Sequence, residues 1–160
     1  LDSGGKIPFP LEDGVIYYMG PSPARQGRPI GSAGPTTAGR MDKYAPKLLD
    51  LSGPTTAGRM DKYAPKLLDL GLRAMIGKGK RSKEVHQAVV RNKAVYFAAV
   101  GGAGALLSKA VVSSQTVAYD DLGTEAIRKL EIKDFPVIVV IDTQGNDLYE
   151  TAAQAYRKEE

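Results

Sequence analysis

The same eighteen amino acids, Gly-Pro-Thr-Thr-Ala-Gly-Arg-Met-Asp-Lys-Tyr-Ala-Pro-Lys-Leu-Leu-Asp-Leu, stand at residues 34–51 and again at 53–70. Natural solenoid repeats drift in sequence and need at least three units to bury a continuous core. Two copies of perfect identity therefore do not read as a repeat architecture. They read as a recent duplication, or as one segment written twice. Within each copy the Gly-Pro pair stops the preceding element, and apolar residues then follow at helix spacing: Met60, Tyr63, Leu67 and Leu70 in the second copy. Pro54 suits the first turn of a helix. Pro46 or Pro65, deeper in, should kink the helix or end and restart it, and Gly71 fits the position just past its end.

The start of this helix is a candidate anion site. Thr55, Thr56, free backbone N–H groups and Arg59 crowd one helix N-terminus, where the dipole favours negative charge and a guanidinium can grip a carboxylate with two parallel bonds. In the first copy the same groups are Thr36, Thr37 and Arg40. The plainer alternative is a capping threonine beside a solvated arginine.

Elsewhere, short apolar runs alternate with helical patterns. Val15 to Met19 and Arg73 to Ile76 read as strands, the first bounded by Gly14 and Gly20-Pro21. Residues 21–32 are loop-like and hold Arg25 and Arg28, as solvated charges or as the rim of an anion site. Gly77-Lys78-Gly79-Lys80-Arg81 is a basic loop directly after a strand, the place where parallel sheets bind ligands. It lacks the P-loop spacing and reads equally as a solvated turn. Ser82 caps a helix to about Asn92 with Val85 and Val89 inward, and His86 has no partner in sequence to make it a catalyst. Ala94 to Val100 is an apolar strand. Gly101-Gly102-Ala103-Gly104 follows without the full dinucleotide fingerprint, so close packing of the next helix, Ala105 to Ala110, is its expected use. Ser113 to Tyr119 is a weak strand. Thr124 is expected to cap a helix with Leu130 on its inner face. Phe135 to Ile141 is continuously apolar and is expected to be covered on both faces. Residues 142–146 turn the chain and Thr151 to Glu160 looks helical or frayed. Together these elements imply a three-layer α/β domain with a largely parallel central sheet.

At 160 residues a single domain, 1–160, is the prior. The net charge of +4 suits an anionic ligand without specifying one. With no cysteine and one histidine, the chain offers neither disulfides nor thiolate ligands for an iron–sulfur cluster, nor a histidine-built metal site. No apolar run approaches the ~20 residues of a membrane span and no signal-peptide pattern opens the chain, so a cytoplasmic protein is the default expectation.

The nonapeptide Gly53 to Asp61, with Met75-Ile76-Gly77-Lys78-Gly79 after it, resembles the β (C-terminal) part of the iron–sulfur hydro-lyases, the class I fumarate hydratases and L-tartrate dehydratases. The likeness takes in Gly14 to Pro21 and Gly27 to Ala33 upstream, and Gly101-Gly102-Ala103 and Asp134 to Val140 downstream, so it covers most of the chain. It has room for one copy of the repeat: the first copy joins family-like sequence only before it, the second only after it. The family's Ala-Arg-Asp motif, whose arginine helps bind substrate, is missing here, which makes an N-terminally incomplete chain one expectation.

The resemblance implies a swivelling β/β/α domain and a β subunit of a fumarate hydratase, inactive alone, acting in an oligomer. Its α partner would carry the 4Fe–4S cluster, in keeping with the absence of cysteine here. By the motif, Thr36 or Thr55 matches the residue proposed as catalytic base. Thr37 or Thr56 and Arg40 or Arg59 would hold substrate carboxylate, with Lys78 as a further contact. A threonine hydroxyl is a poor base alone and needs a neighbour, whereas arginine and lysine as anion clamps are well founded. L-tartrate is the alternative substrate. The rival of another class is a non-catalytic module that docks RNA or a nucleotide on the basic loop 78–81, a reading weakened by the scarcity of aromatics beside that loop.

Overall fold

The structure, a computed structural model, describes residues 7–35 and 60–154. Four short strands form the main sheet, β1 (Val15–Tyr17), β2 (Ala74–Gly77), β3 (Val95–Ala98) and β6 (Ile138–Ile141), in the order β1-β2-β3-β6. The first three run parallel, with Val15 opposite Ala74 and Ala74 opposite Val95, and β6 lies antiparallel on β3. Helix α1 (Ala64–Asp69) leads into β2, and α2 (Lys83–Arg91) connects β2 to β3. After β3 come the one-turn helix α3 (Gly104–Leu107) and an antiparallel ribbon of β4 (Val111–Ala118) and β5 (Ile127–Ile132), and α4 (Leu148–Gln154) follows β6.

Local chemistry explains the helix ends. Pro65 sits in the first turn of α1, so the helix of the second repeat copy restarts at this proline, one of the two outcomes expected there. Gly71, at φ +104°, closes α1 with bonds from Leu72 N to Leu67 O (3.1 Å) and from Gly71 N to Leu68 O (3.0 Å). Ala64 and Leu68 are fully buried and Leu67 packs against the same core, while Leu70, expected in the stripe, is 48% exposed. Leu70 is the cap residue just past the end of α1, which takes it out of the stripe. For α2, Ser82 Oγ accepts from Val85 N (3.3 Å), and Val85, Ala88 and Val89 are buried, as the capping pattern implies.

Leu68, Leu72, Met75, Val85, Val89, Tyr96 and Ile141 form the largest core, between α1, α2 and one face of the sheet. On the other face Ile76, Ala99 and Leu107 are packed by Tyr17, Phe97, Phe135 and Val137. A third group, Ile30, Ala33 and Val111, is joined by Leu130 and again by Phe135.

Two expectations fail. The stretch opening at Thr124 is not a helix: 120–125 is a 3-10 turn and Ile127–Ile132 is strand β5, paired antiparallel with β4 from Val111–Ile132 to Ala118–Ile127. Leu130 still faces a core, but as a strand residue. Nor is the apolar run 135–141 covered on both faces. Only Ile138–Ile141 is strand, it is antiparallel, and Ile138 and Val139 are about half exposed (52% and 49%).

Candidate functional site

The loops after β1, β2 and β3 meet at the carboxyl ends of these parallel strands. Tyr18 N donates to Ile76 O (2.9 Å) and Ala99 N to Gly77 O (2.8 Å), so the three strand ends are held in one row. Lys78 projects from the middle loop. Its Cδ and Nζ each lie 3.7 Å from the position a Cβ on Gly101 would take, so the side chain extends across the loop after β3.

The backbone around Lys78 is fixed from both sides. A Cβ on Gly77 would lie 3.3 Å from the Tyr96 hydroxyl and 3.5 Å from Tyr18 Cδ2, so glycine lets both rings close over the strand end. Gly79 has φ +95°, a conformation other residues resist. Its N–H donates to the Tyr149 hydroxyl (3.2 Å) and its carbonyl accepts from the Tyr96 hydroxyl (3.1 Å).

The rest of the basic loop is committed elsewhere. Lys80 pairs with Glu150 (3.1 Å). Arg81 is buried, its side chain 1% exposed, and its Nε donates to Asp61 Oδ1 at 2.6 Å. The second oxygen of Asp61 accepts from Ser82 N at 2.5 Å. The guanidinium carbon lies 5.0 Å from the centre of the Tyr96 ring and 5.8 Å from that of Tyr18, and Nη1 reaches Met75 Sδ at 3.7 Å. Arg81 Nη2 and the Tyr18 hydroxyl are both buried without a hydrogen-bond partner. Burial pushes the Tyr96 hydroxyl up to about 12 and that of Tyr18 upward as well, with the Arg81 cation opposing both. Lys78 is thus the residue of the basic loop that has no ion-pair partner among the described residues.

Of the candidate site residues, Lys78 is placed by the structure; Thr36, Thr37, Arg40, Thr55, Thr56 and Arg59 lie outside the described residues. The residues that flank them are informative. Pro35 bridges to Met19, Gly34 packs on Gly104, and Ala33 N donates to Gly104 O (3.0 Å). Asp61, two positions beyond Arg59, reaches Arg81, which stacks against Tyr18. Both flanks of residues 36–59 therefore come to the Tyr18–Met19 turn, next to the lysine loop.

Asp61 and Arg81 escaped the sequence reading as a pair. Twenty residues separate them and no local pattern links them; the one hint was an acid closing the nonapeptide and an arginine just before a helix cap. Arg25 and Arg28 are exposed on a turn, as solvated charges would be. His86 lies with Nε2 2.9 Å from Gly145 O, a structural contact. Gly104 does serve close packing, but against residues 32–34 rather than a strand. Among the described residues no cluster of three or more His, Cys, Asp or Glu side chains is arranged to hold a metal ion.

A model of the fumarase C-terminus family matches residues 1–53 and again 47–152, the two matches overlapping at the repeat. The anaerobic class I fumarate hydratase of Escherichia coli is 37% identical over 151 residues, covering 94% of this chain and 24% of that protein. Fumarate hydratase 2 of Leishmania major is 36% identical over 93% of this chain and 23% of its own length. A protein of Methanocaldococcus jannaschii described as an L(+)-tartrate dehydratase subunit beta is 33% identical, over 94% of this chain and 70% of its length. The chain thus spans about a quarter of the fumarate hydratases it matches and most of a free-standing β subunit. With the family model matched over most of the sequence, and a β subunit matched over most of its length, the chain belongs to the fumarase C-terminus family.

Proposed function

We propose that this chain is the β portion of a class I fumarate hydratase and contributes the substrate-carboxylate and proton-transfer residues for reversible hydration of fumarate to malate. The observation that carries the reading is Lys78: a cation left unpaired among the described residues, at the carboxyl ends of three parallel strands, beside both flanks of the Gly-Pro-Thr-Thr motif. Lys78 and Arg40 or Arg59, with Thr37 or Thr56, would seat the two carboxylates. Thr36 or Thr55 would move the proton, relayed to an acidic group of an α partner.

The residues of this chain do not suit an iron–sulfur cluster, since it contains no cysteine. A 4Fe–4S cluster on the partner would supply the Lewis acid for the hydroxyl group. The assembly is an oligomer of α and β parts in the cytoplasm; no described helix is long and apolar enough to cross a membrane. We further propose the three-layer swivelling β/β/α arrangement, with α1 and α2, the main sheet and the β4–β5 ribbon as its layers, in a single domain that needs one copy of the repeat.

L-tartrate is a second reading, favoured by the match to a β subunit of similar extent. RNA docking on the basic loop is disfavoured, because Lys80 is paired and Arg81 is buried; a phosphate-binding strip needs several free cations.

The test is anaerobic turnover of fumarate and of L-tartrate by the α partner with and without this chain, and with Lys78→Met. A lost charge-assisted hydrogen bond of ~1.5–3 kcal/mol lowers kcat/KM by roughly 10- to 150-fold. No rate gain over α alone, or an unchanged Lys78→Met complex, refutes the proposal.

A further inference from the structure

We infer that the buried Asp61–Arg81 pair positions the Lys78 loop against Met60–Asp61, the end of the nonapeptide motif. This rests on the dicarboxylate reading above and adds two residues to it, neither of which needs to touch substrate.

The contacts form one continuous path. Asp61 holds two consecutive loop residues, Arg81 through its Nε (2.6 Å) and Ser82 through its N–H (2.5 Å). The Arg81 guanidinium lies against the ring of Tyr96, whose hydroxyl donates to the carbonyl of Gly79 (3.1 Å), the neighbour of Lys78. Any displacement of Asp61 is thereby passed to the lysine backbone through rigid groups: a planar carboxylate, a planar guanidinium and an aromatic ring.

Stability alone does not account for this cluster. A buried ion pair loses its hydration, and well-packed apolar residues of the same volume are often as stable or more so. Here the desolvation extends to Arg81 Nη2 and the Tyr18 hydroxyl, which are buried beside the pair. What the ion pair supplies and an apolar pair does not is direction: one carboxylate accepts from Arg81 Nε on one oxygen and from the Ser82 N–H on the other, which sets the angle between two chain segments 20 residues apart. A cationic side chain that must meet one carboxylate of a small diacid gains from such a fixed angle, because a misplacement of an ångström is expensive at a binding site.

The test uses the full chain in complex with its cluster-bearing partner. Arg81→Met combined with Asp61→Leu removes this contact without leaving a buried charge unpaired. Tyr96→Phe cuts the path at its last hydrogen bond and leaves the ion pair in place. Both are expected to raise the KM for fumarate, about tenfold or more for the double variant, with kcat changed less than threefold. Both should also speed amide hydrogen exchange at Gly79 by tenfold or more, and the double variant that at Ser82. Arg81→Lys keeps the charge but not the planar guanidinium that donates through Nε and lies on the Tyr96 ring, and should recover only part of the loss. Unchanged exchange in the double variant overturns the inference, as does faster exchange with an unchanged KM. If the wild-type complex turns over neither fumarate nor L-tartrate, the functional reading fails; exchange and the rate at which Lys78 is acylated then decide the positioning role on their own, unchanged rates overturning it.

Discussion

Gly104 opens helix α3 where the chain passes residues 32–34, and a single methyl group there tests how firmly the approach to the motif is held. A Cβ at 104 would sit 2.3 Å from Ser32 Oγ, 2.8 Å from Gly34 N and 3.1 Å from Gly34 Cα. The Ser32 side chain is exposed and can rotate away. Gly34 N cannot, because the hydrogen bond from Ala33 N to Gly104 O (3.0 Å) and the Met19–Pro35 bridge hold the backbone on both sides. Relieving the overlap needs a backbone shift of roughly half an ångström, at the ~1–3 kcal/mol typical of an overpacked site. Against this, Gly→Ala restricts the unfolded chain and returns about 0.4–1 kcal/mol. The net expectation for Gly104→Ala is a loss of about 1–2 kcal/mol. With a urea m-value of about 2 kcal/mol/M, the unfolding midpoint should fall by roughly 0.5–1 M. Gly101→Ala is the control: its nearest neighbours, the Cδ and Nζ of Lys78, would lie at an ordinary 3.7 Å, so its midpoint should hold or rise slightly. Adding Ser32→Gly to Gly104→Ala should not restore stability, since the conflict is with backbone. A Gly104→Ala protein as stable as the wild type, or full rescue by Ser32→Gly, would refute the reasoning.

Two further perturbations follow from features already described. Deleting residues 36–54 leaves one copy of the motif and shortens the stretch between Pro35 and Met60 from 24 residues to five; loop-closure entropy then favours the fold by ~1.4 kcal/mol at most. Turnover with the partner should be kept and thermal stability raised, whereas loss of the folded state would show that both copies are needed. Hydrogen bonds from Arg91 and Asn92 hold Asp69 below the usual carboxylate range. A carboxylate depressed in the folded state stabilises it above its unfolded value, near 4, and that contribution is lost as pH falls through the folded value. The difference in urea midpoint between wild type and Asp69→Asn should accordingly be level above about pH 5 and shrink below about pH 4. A difference that grows with acidity would contradict the assignment.

What the sequence discloses depends on how local the cause is. Ser82 as a cap, Gly71 as a stop and Pro65 as a restart are decided within one helical turn, and all three are where the residues imply. In strand β5, Ile127 and Leu130, three apart among charged residues, imitate a helix stripe; pairing with β4 overrides that preference, as strand formation depends on neighbours. The run ending at Ile141 looks doubly covered because five apolar residues in a row, 137–141, do not say that their strand is antiparallel and half open. The place of Lys78 at the carboxyl end of a strand is legible from its glycines and from the strand before it. The role of Arg81 is not: next to Lys80 it looks like another solvated charge, and only the fold brings Asp61 to it.

Phe135 is shared by two packing groups, one under the main sheet with Tyr17 and Ile76, the other around Ile30, Ala33 and Val111. Its ring meets that of Tyr17 edge-on, with centres 5.2 Å apart at 72°. Phe135 thus ties the underside of the sheet to the ribbon residues Val111 and Leu130, so trimming this one ring to alanine would open a cavity in both groups at once.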